Sequence, residues 1–233
     1  MSIEHTVPKK NEIAFKWLNQ YAGVTVKTPT KTLVIDPVEL NAKNFTTLDA
    51  ILITHEHCDH LDGPLIRKIQ ERTQCQILAD STSTKKLSNS VPIEKLQEMK
   101  PGTETKMGDV TVMAEMCNHS AATTPITFLI TSEDGVKIFH TADSMPFPEM
   151  KDIGAKHNPD IAFCTVGIAS GTSPKTGVEI VKLVKPKVAV PYHTASKDDL
   201  NKFCKILAKE EAKIKCLIAK QGNVYIVGKE RKK

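Results

Sequence analysis

Asp49-Ala50-Ile51-Leu52-Ile53-Thr54-His55-Glu56-His57-Cys58-Asp59-His60-Leu61-Asp62-Gly63 is the stretch on which the reading of this chain turns. Ala50 to Ile53 is short, apolar and followed at once by polar residues, the pattern of a buried strand. His55, His57, Asp59 and His60 then fall within six positions. Imidazole and carboxylate are ligands that divalent transition metals prefer. If the strand direction persists past Thr54, His55 and His57 point the same way, because strand side chains alternate. A bend after them would turn Asp59 and His60 toward a second position nearby, so that one short segment serves two adjacent metal sites. A solvated loop seldom gathers three of a chain's eight histidines at a strand exit with carboxylates beside them.

Around this stretch, 233 residues with 40% hydrophobic content supply a sizeable core, and aromatics at 5% leave Ile, Leu, Val and Ala to build it. There is no internal repeat, low-complexity linker or composition shift, so residues 1–233 read as a single domain. The net charge is +5, and only Arg67, Arg72 and Arg231 among the 32 basic residues are Arg. Lysine is a solvated point charge and not a bidentate phosphate fork. The run Lys229-Glu230-Arg231-Lys232-Lys233 reads as a solvated tail, so nucleic acid is the less favoured partner and a small, anionic substrate the more favoured one. Cys58, Cys75, Cys117, Cys164, Cys204 and Cys216 form no C-x-x-C pair and read as reduced core thiols. With no leader pattern at the start and no apolar stretch of membrane-spanning length, a cytoplasmic protein without membrane contact is expected. A homo-oligomer is compatible with this sequence.

Along the chain, Ile13, Phe15 and Trp17 alternate as a strand, and 23–27 with 31–36 read as a hairpin turning at Thr28-Pro29-Thr30. Pro64 to Arg72 reads as a helix with Pro at its first position. A strand over 76–79 and a helix over 81–87 follow. The strand 110–116 delivers Cys117-Asn118-His119-Ser120. Strands 126–131 and 136–140, joined through Glu133-Asp134-Gly135, lead to His140-Thr141-Ala142-Asp143. Strand 161–166, helix 176–184, strand 187–190 ending in Pro191-Tyr192-His193, and helix 197–210 come next. Residues 214–218 and 223–227 read as two closing strands.

His55-Glu56-His57-Cys58-Asp59-His60 matches the H-x-H-x-D-H signature and resembles the metallo-β-lactamase superfamily. The resemblance implies an α+β fold, a four-layer αββα sandwich, and metal-dependent hydrolysis. It also assigns the strand-end residues downstream. His119 matches the isolated third histidine, Asp143 the bridging carboxylate (Ala-Asp-Ser where members carry Gly-Asp-Thr), and His193 the last histidine. One ion would be held by His55, His57 and His119, and the other by Asp59, His60 and His193, with Asp143 between them. The implied cofactors are two divalent ions, zinc first and manganese or iron as alternatives. Two such cations share and polarise an oxygen, bringing the pKa of a water to roughly 7. The bridging hydroxide would attack the substrate, with Asp59 and Asp143 the catalytic carboxylates. Asp36, at the end of a strand before Pro37, and Asn118 and His140 are candidates to support the ligands or touch substrate.

The spacing excludes some relatives. Asp143 and His193 are 50 residues apart, too close for a nucleic-acid-processing insertion, and 40 residues follow His193, too few for an added helical domain. The phrases Val34-Ile35-Asp36-Pro37, His140-Thr141-Ala142-Asp143 and Lys185-Pro186-Lys187-Val188-Ala189-Val190-Pro191-Tyr192-His193 look most like the ascorbate-6-phosphate-lactonase-like branch. The expected activity is hydrolysis of a small lactone or a phosphorylated small molecule. A phosphodiesterase or ribonuclease, and a non-catalytic metal-dependent sensor, are the rival functions.

Overall fold

The computed structural model describes residues 2–229. Residues 230–233 of the basic tail lie outside them. The chain starts with β1 (Glu12–Trp17), β2 (Val24–Lys27) and β3 (Thr32–Ile35), a run of antiparallel neighbours with the expected turn at Thr28–Lys31. β4 (Ala50–Ile53) and β5 (Gln76–Asp80) join them in parallel, linked by α1 (Gly63–Thr73). Asp62 caps α1 by accepting from the Leu65 N–H, with Pro64 in the first turn. α2 (Ser81–Leu87) is capped by Asp80 and leads to β6 (Leu96–Met99). β7 (Glu104–Met107), β8 (Val110–Met116), β9 (Ile126–Thr131) and β10 (Lys137–His140) form an antiparallel run. After α3 (Met150–His157) come β11 (Ile161–Thr165), α4 (Pro174–Val184) and β12 (Val188–Tyr192). α5 (Lys197–Glu210), β13 (Lys215–Cys216) and β14 (Val224–Gly228) complete the order.

These strands make two sheets, β14-β1-β2-β3-β4-β5-β6 and β13-β12-β11-β10-β9-β8-β7. Alternation along β3 and β4 explains the layering. Leu33, Ile35, Ala50 and Leu52 face the second sheet, while Val34, Ile51 and Ile53 face Leu65, Ile66 and Ile69 of α1. Between the sheets, Phe15 of β1 meets Phe163 of β11 edge to face at 5.0 Å. On the far side, Val178 and Val181 of α4 and Phe203 and Leu207 of α5 complete the same core. Helices on both outer faces of two packed sheets are the expected αββα sandwich.

The structure departs from expectation in four places. β6, β7 and α3 are additional elements. The two closing strands part company: β13 extends the second sheet, while β14 pairs with β1 of the first. Cys204 of α5 and Cys216 of β13 form a disulfide with Cα atoms 5.6 Å apart, and Cys58 is exposed. The reading of all six cysteines as reduced core thiols is therefore corrected. Finally, the strand stops at Ile53, so His55 and His57 are aligned by a tight turn and not by strand alternation. Among the described residues, no helix is long and apolar enough to cross a membrane.

Candidate metal centre

Four strand ends from two sheets converge on one point. β4 delivers residues 55–60, β8 leads to His119, β10 to Asp143, and β12 to His193. The turn after β4 is closed by His57, whose carbonyl accepts from the His60 and Leu61 N–H groups at 3.0 and 2.8 Å. It is stitched to the second sheet by Ile126 N–H, which donates to the Thr54 carbonyl at 3.0 Å. Three residues at this end hold positive φ without being glycine: Asp36 at 45°, Ala142 at 48° and His193 at 57°. Side chains reach that region only when the surroundings impose it, and such strain collects at functional sites. At Ala142 the imposing contact is visible: Tyr192 Oη donates to its carbonyl at 3.0 Å. The loops bearing His119 and Asp143 are tied together, since Asn118 N–H donates to Ser144 Oγ and Met145 N–H to the Asn118 carbonyl, both at 2.9 Å.

The side chains fall into two groups that share Asp143: His55, His57, His119 and Asp143, and Asp59, His60, Asp143 and His193. In the first, His57 Nδ1 lies 3.2 Å from His55 Nε2 and 3.3 Å from His119 Nε2, and Asp143 Oδ2 lies 3.8 Å from each of those Nε2 atoms. Donors about 2.0–2.1 Å from one tetrahedral ion stand about 3.3 Å apart. In the second, His60 Nε2 lies 3.1 Å from Asp143 Oδ1, and His193 Nε2 lies 3.4 Å from Asp59 Oδ2. The two oxygens of Asp143 thus face different groups. His60 Nε2 and His193 Nε2 are buried without a hydrogen-bond partner, and Asp143 Oδ1 lies 3.1 Å from His60 Nε2 and 2.8 Å from His193 Nδ1. Buried polar atoms are nearly always satisfied, so two unpartnered imidazole nitrogens beside one shared carboxylate suit a cation. The residues present fit metal ions.

Hydrogen bonds on the outer edges of the rings fix which nitrogen faces inward. Asp36 accepts from Thr54 Oγ1 at 2.7 Å, so Thr54 Oγ1 is left to accept from His55 Nδ1 at 3.0 Å. His60 Nδ1 donates to Asp36 Oδ2 at 2.8 Å. His57 Nε2 donates to the Ala121 carbonyl at 3.1 Å, which leaves its Nδ1 lone pair facing inward. Each bond puts the ring proton outside and the lone pair inside.

Electrostatics follow. Burial pushes His55 far below the ordinary imidazole range, with the neighbouring His60 adding to the shift. Burial also opposes charge on His60, but Asp143 and Asp36 outweigh it and raise it well above that range. His193 is raised in the same way by Asp143 and Asp59 against its burial. Asp143 would be raised by burial, yet His60 and His193 hold it well below the usual carboxylate range.

The candidates for supporting roles separate. Asp36 sits under Thr54 and His60, as described. His140 is buried away from both groups: its Nε2 donates to the Ala22 carbonyl at 2.9 Å and its Nδ1 accepts from the Ala142 N–H at 3.3 Å. Asn118 is exposed and contributes through its backbone. Neither Cys58 nor Cys117 enters a group. Two residues were not singled out from sequence. Glu56, between the first two histidines of the motif, accepts from Thr123 N–H at 2.8 Å and Thr123 Oγ1 at 2.6 Å, pinning the His119 loop. Tyr192 braces the Asp143 loop. Glu56 carried no signal, whereas Tyr192 stood next to a nominated ligand.

Comparison with known proteins shows the family and the fold. The family model described as "Beta-lactamase superfamily domain" matches residues 22–194, a span containing every side chain of both groups. A UPF0173 protein of Pyrococcus abyssi is 30% identical over 175 residues, covering 74% of this chain and 80% of the relative. A UPF0173 metal-dependent hydrolase of Archaeoglobus fulgidus is 30% identical over 192 residues, covering 76% and 81%. In structure, the metallo hydrolase Igni18 of Ignicoccus hospitalis superposes with a TM-score of 0.80 at 19% identity, covering 94% of this chain and 100% of that one.

Proposed function

The chain belongs to the beta-lactamase superfamily domain family, and from that premise we propose that it is a metal-dependent hydrolase with a dinuclear centre. Several relatives carry the name metal-dependent hydrolase. The observation that carries the reading is the sharing of Asp143, one oxygen toward each group of otherwise complementary ligands. His55, His57 and His119 would hold one divalent ion, and Asp59, His60 and His193 the other. Nitrogen and oxygen donors in this mix suit zinc first, with manganese or iron as alternatives. When bound, the ions supply Lewis acidity and a water nucleophilic at neutral pH.

The chain's own residues do the rest. Asp36 and Thr54 keep the imidazole protons outside the centre. The carboxylate of Asp59, 21% exposed beside His193, is the group placed to orient an attacking water and take its proton. Buried Asp143 keeps the two groups in register. The finer assignment we favour, from the phrases flanking the motif, is the ascorbate-6-phosphate-lactonase-like branch, with a small lactone or a phosphorylated small molecule as substrate. The one-domain organisation over 1–233, a cytoplasmic setting and a small-molecule partner complete the reading.

The test sets metal-loaded and chelated protein against a lactone and an activated phosphodiester, with Asp143→Ala alongside. Metal-dependent cleavage of the lactone, lost in the variant, supports the reading. Preference for the phosphodiester redirects it to the phosphodiesterase or ribonuclease alternative. Full turnover by Asp143→Ala with metal retained sinks the shared-carboxylate mechanism, and tight metal binding without turnover of either substrate favours a sensor.

A further inference from the structure

Tyr21 lies on the loop between β1 and β2, with its ring edge-on to the His193 imidazole at 6.4 Å between centroids. Neither ligand group uses it. Its loop is nevertheless fixed in detail. Trp17 Nε1 donates to the Tyr21 carbonyl at 2.7 Å, and Tyr21 N–H donates to Asn19 Oδ1 at 3.1 Å. Asn19 Nδ2 in turn donates to the Val38 carbonyl at 2.8 Å, on the loop after β3. The next residue, Glu39, holds φ at 51°, a left-handed conformation that a glutamate does not choose unaided. In that conformation its carboxylate meets the phenol: Tyr21 Oη donates to Glu39 Oε1 at 3.1 Å.

An exposed hydrogen bond of this kind adds little to stability, because both groups are well hydrated in the unfolded chain. Two pinned loops, one of them strained, still hold the Tyr21 ring beside His193 and its hydroxyl on Glu39. With its proton committed to Glu39, the phenol oxygen offers lone pairs, and the carboxylate offers only lone pairs. Two acceptors side by side attract a hydrogen-bond donor and disfavour an anionic group at that one position, so that a substrate's phosphate or carboxylate must lie elsewhere.

We propose that Tyr21 and Glu39 are the specificity-determining residues of this centre. They receive a neutral donor group, a hydroxyl or an amide N–H, that the substrate carries next to its scissile bond on the His193 side. This rests on the centre being a metal-loaded hydrolytic site. It goes further by naming what stands beside the reacting carbonyl.

The test is calorimetric titration of the metal-loaded protein with D-gluconate and with pentanoate. Both bring a carboxylate to the centre, and only gluconate brings hydroxyls beside it. Tyr21→Phe keeps the ring and removes the acceptor oxygen. It is expected to weaken gluconate binding about 3- to 10-fold, the worth of one hydrogen bond, and pentanoate binding less than about 2-fold. Glu39→Gln weakens gluconate binding in the same direction. Equal loss for both acids, no loss for either, or no gluconate binding to the wild type overturns the proposal. Failure of the underlying reading looks different: no ester turned over by the loaded protein while the gluconate contrast persists would remove the hydrolase and leave the recognition pair standing.

Discussion

Replacing Asp36 by Asn changes no volume and tests how the centre is set. Asp36 is fully buried and accepts three hydrogen bonds, from Thr54 N–H at 2.8 Å, Thr54 Oγ1 at 2.7 Å and His60 Nδ1 at 2.8 Å. The asparagine oxygen must stay on the Thr54 N–H, because an amide nitrogen there would set donor against donor. The amide nitrogen then faces Thr54 Oγ1 and His60 Nδ1. Facing a donor, His60 must present a lone pair at Nδ1 and carry its proton on Nε2, the atom 3.1 Å from Asp143 Oδ1. A cation entering that group must then force the remaining ring proton back to Nδ1, against the amide N–H of Asn where the wild type offers a carboxylate oxygen. Losing such a partner typically costs about 10- to 100-fold in metal affinity, or about 1.4–2.7 kcal/mol. Competition against a chromophoric chelator, with metal content measured at each step, reads the two ions separately. The ion assigned to Asp59, His60, Asp143 and His193 should weaken most. Thr54→Val, which removes the acceptor of His55 Nδ1, should bias the loss toward the other group. An Asp36→Asn protein that takes up both ions with wild-type affinity refutes the argument that this carboxylate sets the His60 tautomer.

Four further outcomes are expected. Because His60 and His193 are raised in the metal-free protein, a cation entering their group competes with protons more than it would at ordinary imidazoles. Metal affinity should fall as pH falls, and titration in buffers of different ionisation heat should show proton release; pH-independent uptake contradicts this. His140 is pushed down to about 4, first by burial, so the unfolded chain binds its proton before the folded one does. Stability should fall by roughly 3 kcal/mol as pH drops from about 6.5 to about 4, and this part of the slope should be absent in His140→Asn unfolding curves. Tyr192→Phe strips the donor from the buried Ala142 carbonyl, at a cost of about 1–3 kcal/mol. Turnover should drop with it as the Asp143 loop loosens, whereas a lower melting temperature at unchanged turnover would limit Tyr192 to packing. A Cβ at Gly154 of α3 would stand 2.5 Å from the Val184 carbonyl oxygen of α4, so Gly154→Ala should destabilise by about 1–3 kcal/mol in denaturant unfolding; wild-type stability would mean that the two helices part at little cost.

Much of the fold was legible because its strands are short apolar runs ended by strong breakers. β3 and β4 could be placed almost to the residue, and α1 was marked by Pro64, while its Asp62 cap shows only in the structure. The elements that escaped are those whose side chains carry little pattern. β6 reads Leu-Gln-Glu-Met and β7 reads Glu-Thr-Lys-Met, edge strands specified by their neighbours' open hydrogen bonds and not by their own alternation. α3 is eight residues long with Gly154 inside it, and that glycine serves the approach of α4. β14 closes onto β1, a pairing between opposite ends of the chain that no local pattern encodes.

At the centre, the residues alone showed one cluster of imidazoles and carboxylates at a strand exit, and the family resemblance pointed to His119, Asp143 and His193, each following a strand. Ligand chemistry is a property of side-chain type, and strand exits are local features, so both can be read along the chain. Only the packing of the two sheets decided which oxygen of Asp143 faces which group, which nitrogen of His55, His57 and His60 carries the outer hydrogen bond, and that Glu56 and Tyr192 hold the loops while Asp36 holds Thr54 and His60. The tertiary structure also corrected the reading of Cys204 and Cys216 and set His140 apart from the ligands. Each of these is a hydrogen bond or approach between segments far apart in sequence. Its existence depends on how two sheets pack, which no residue carries alone.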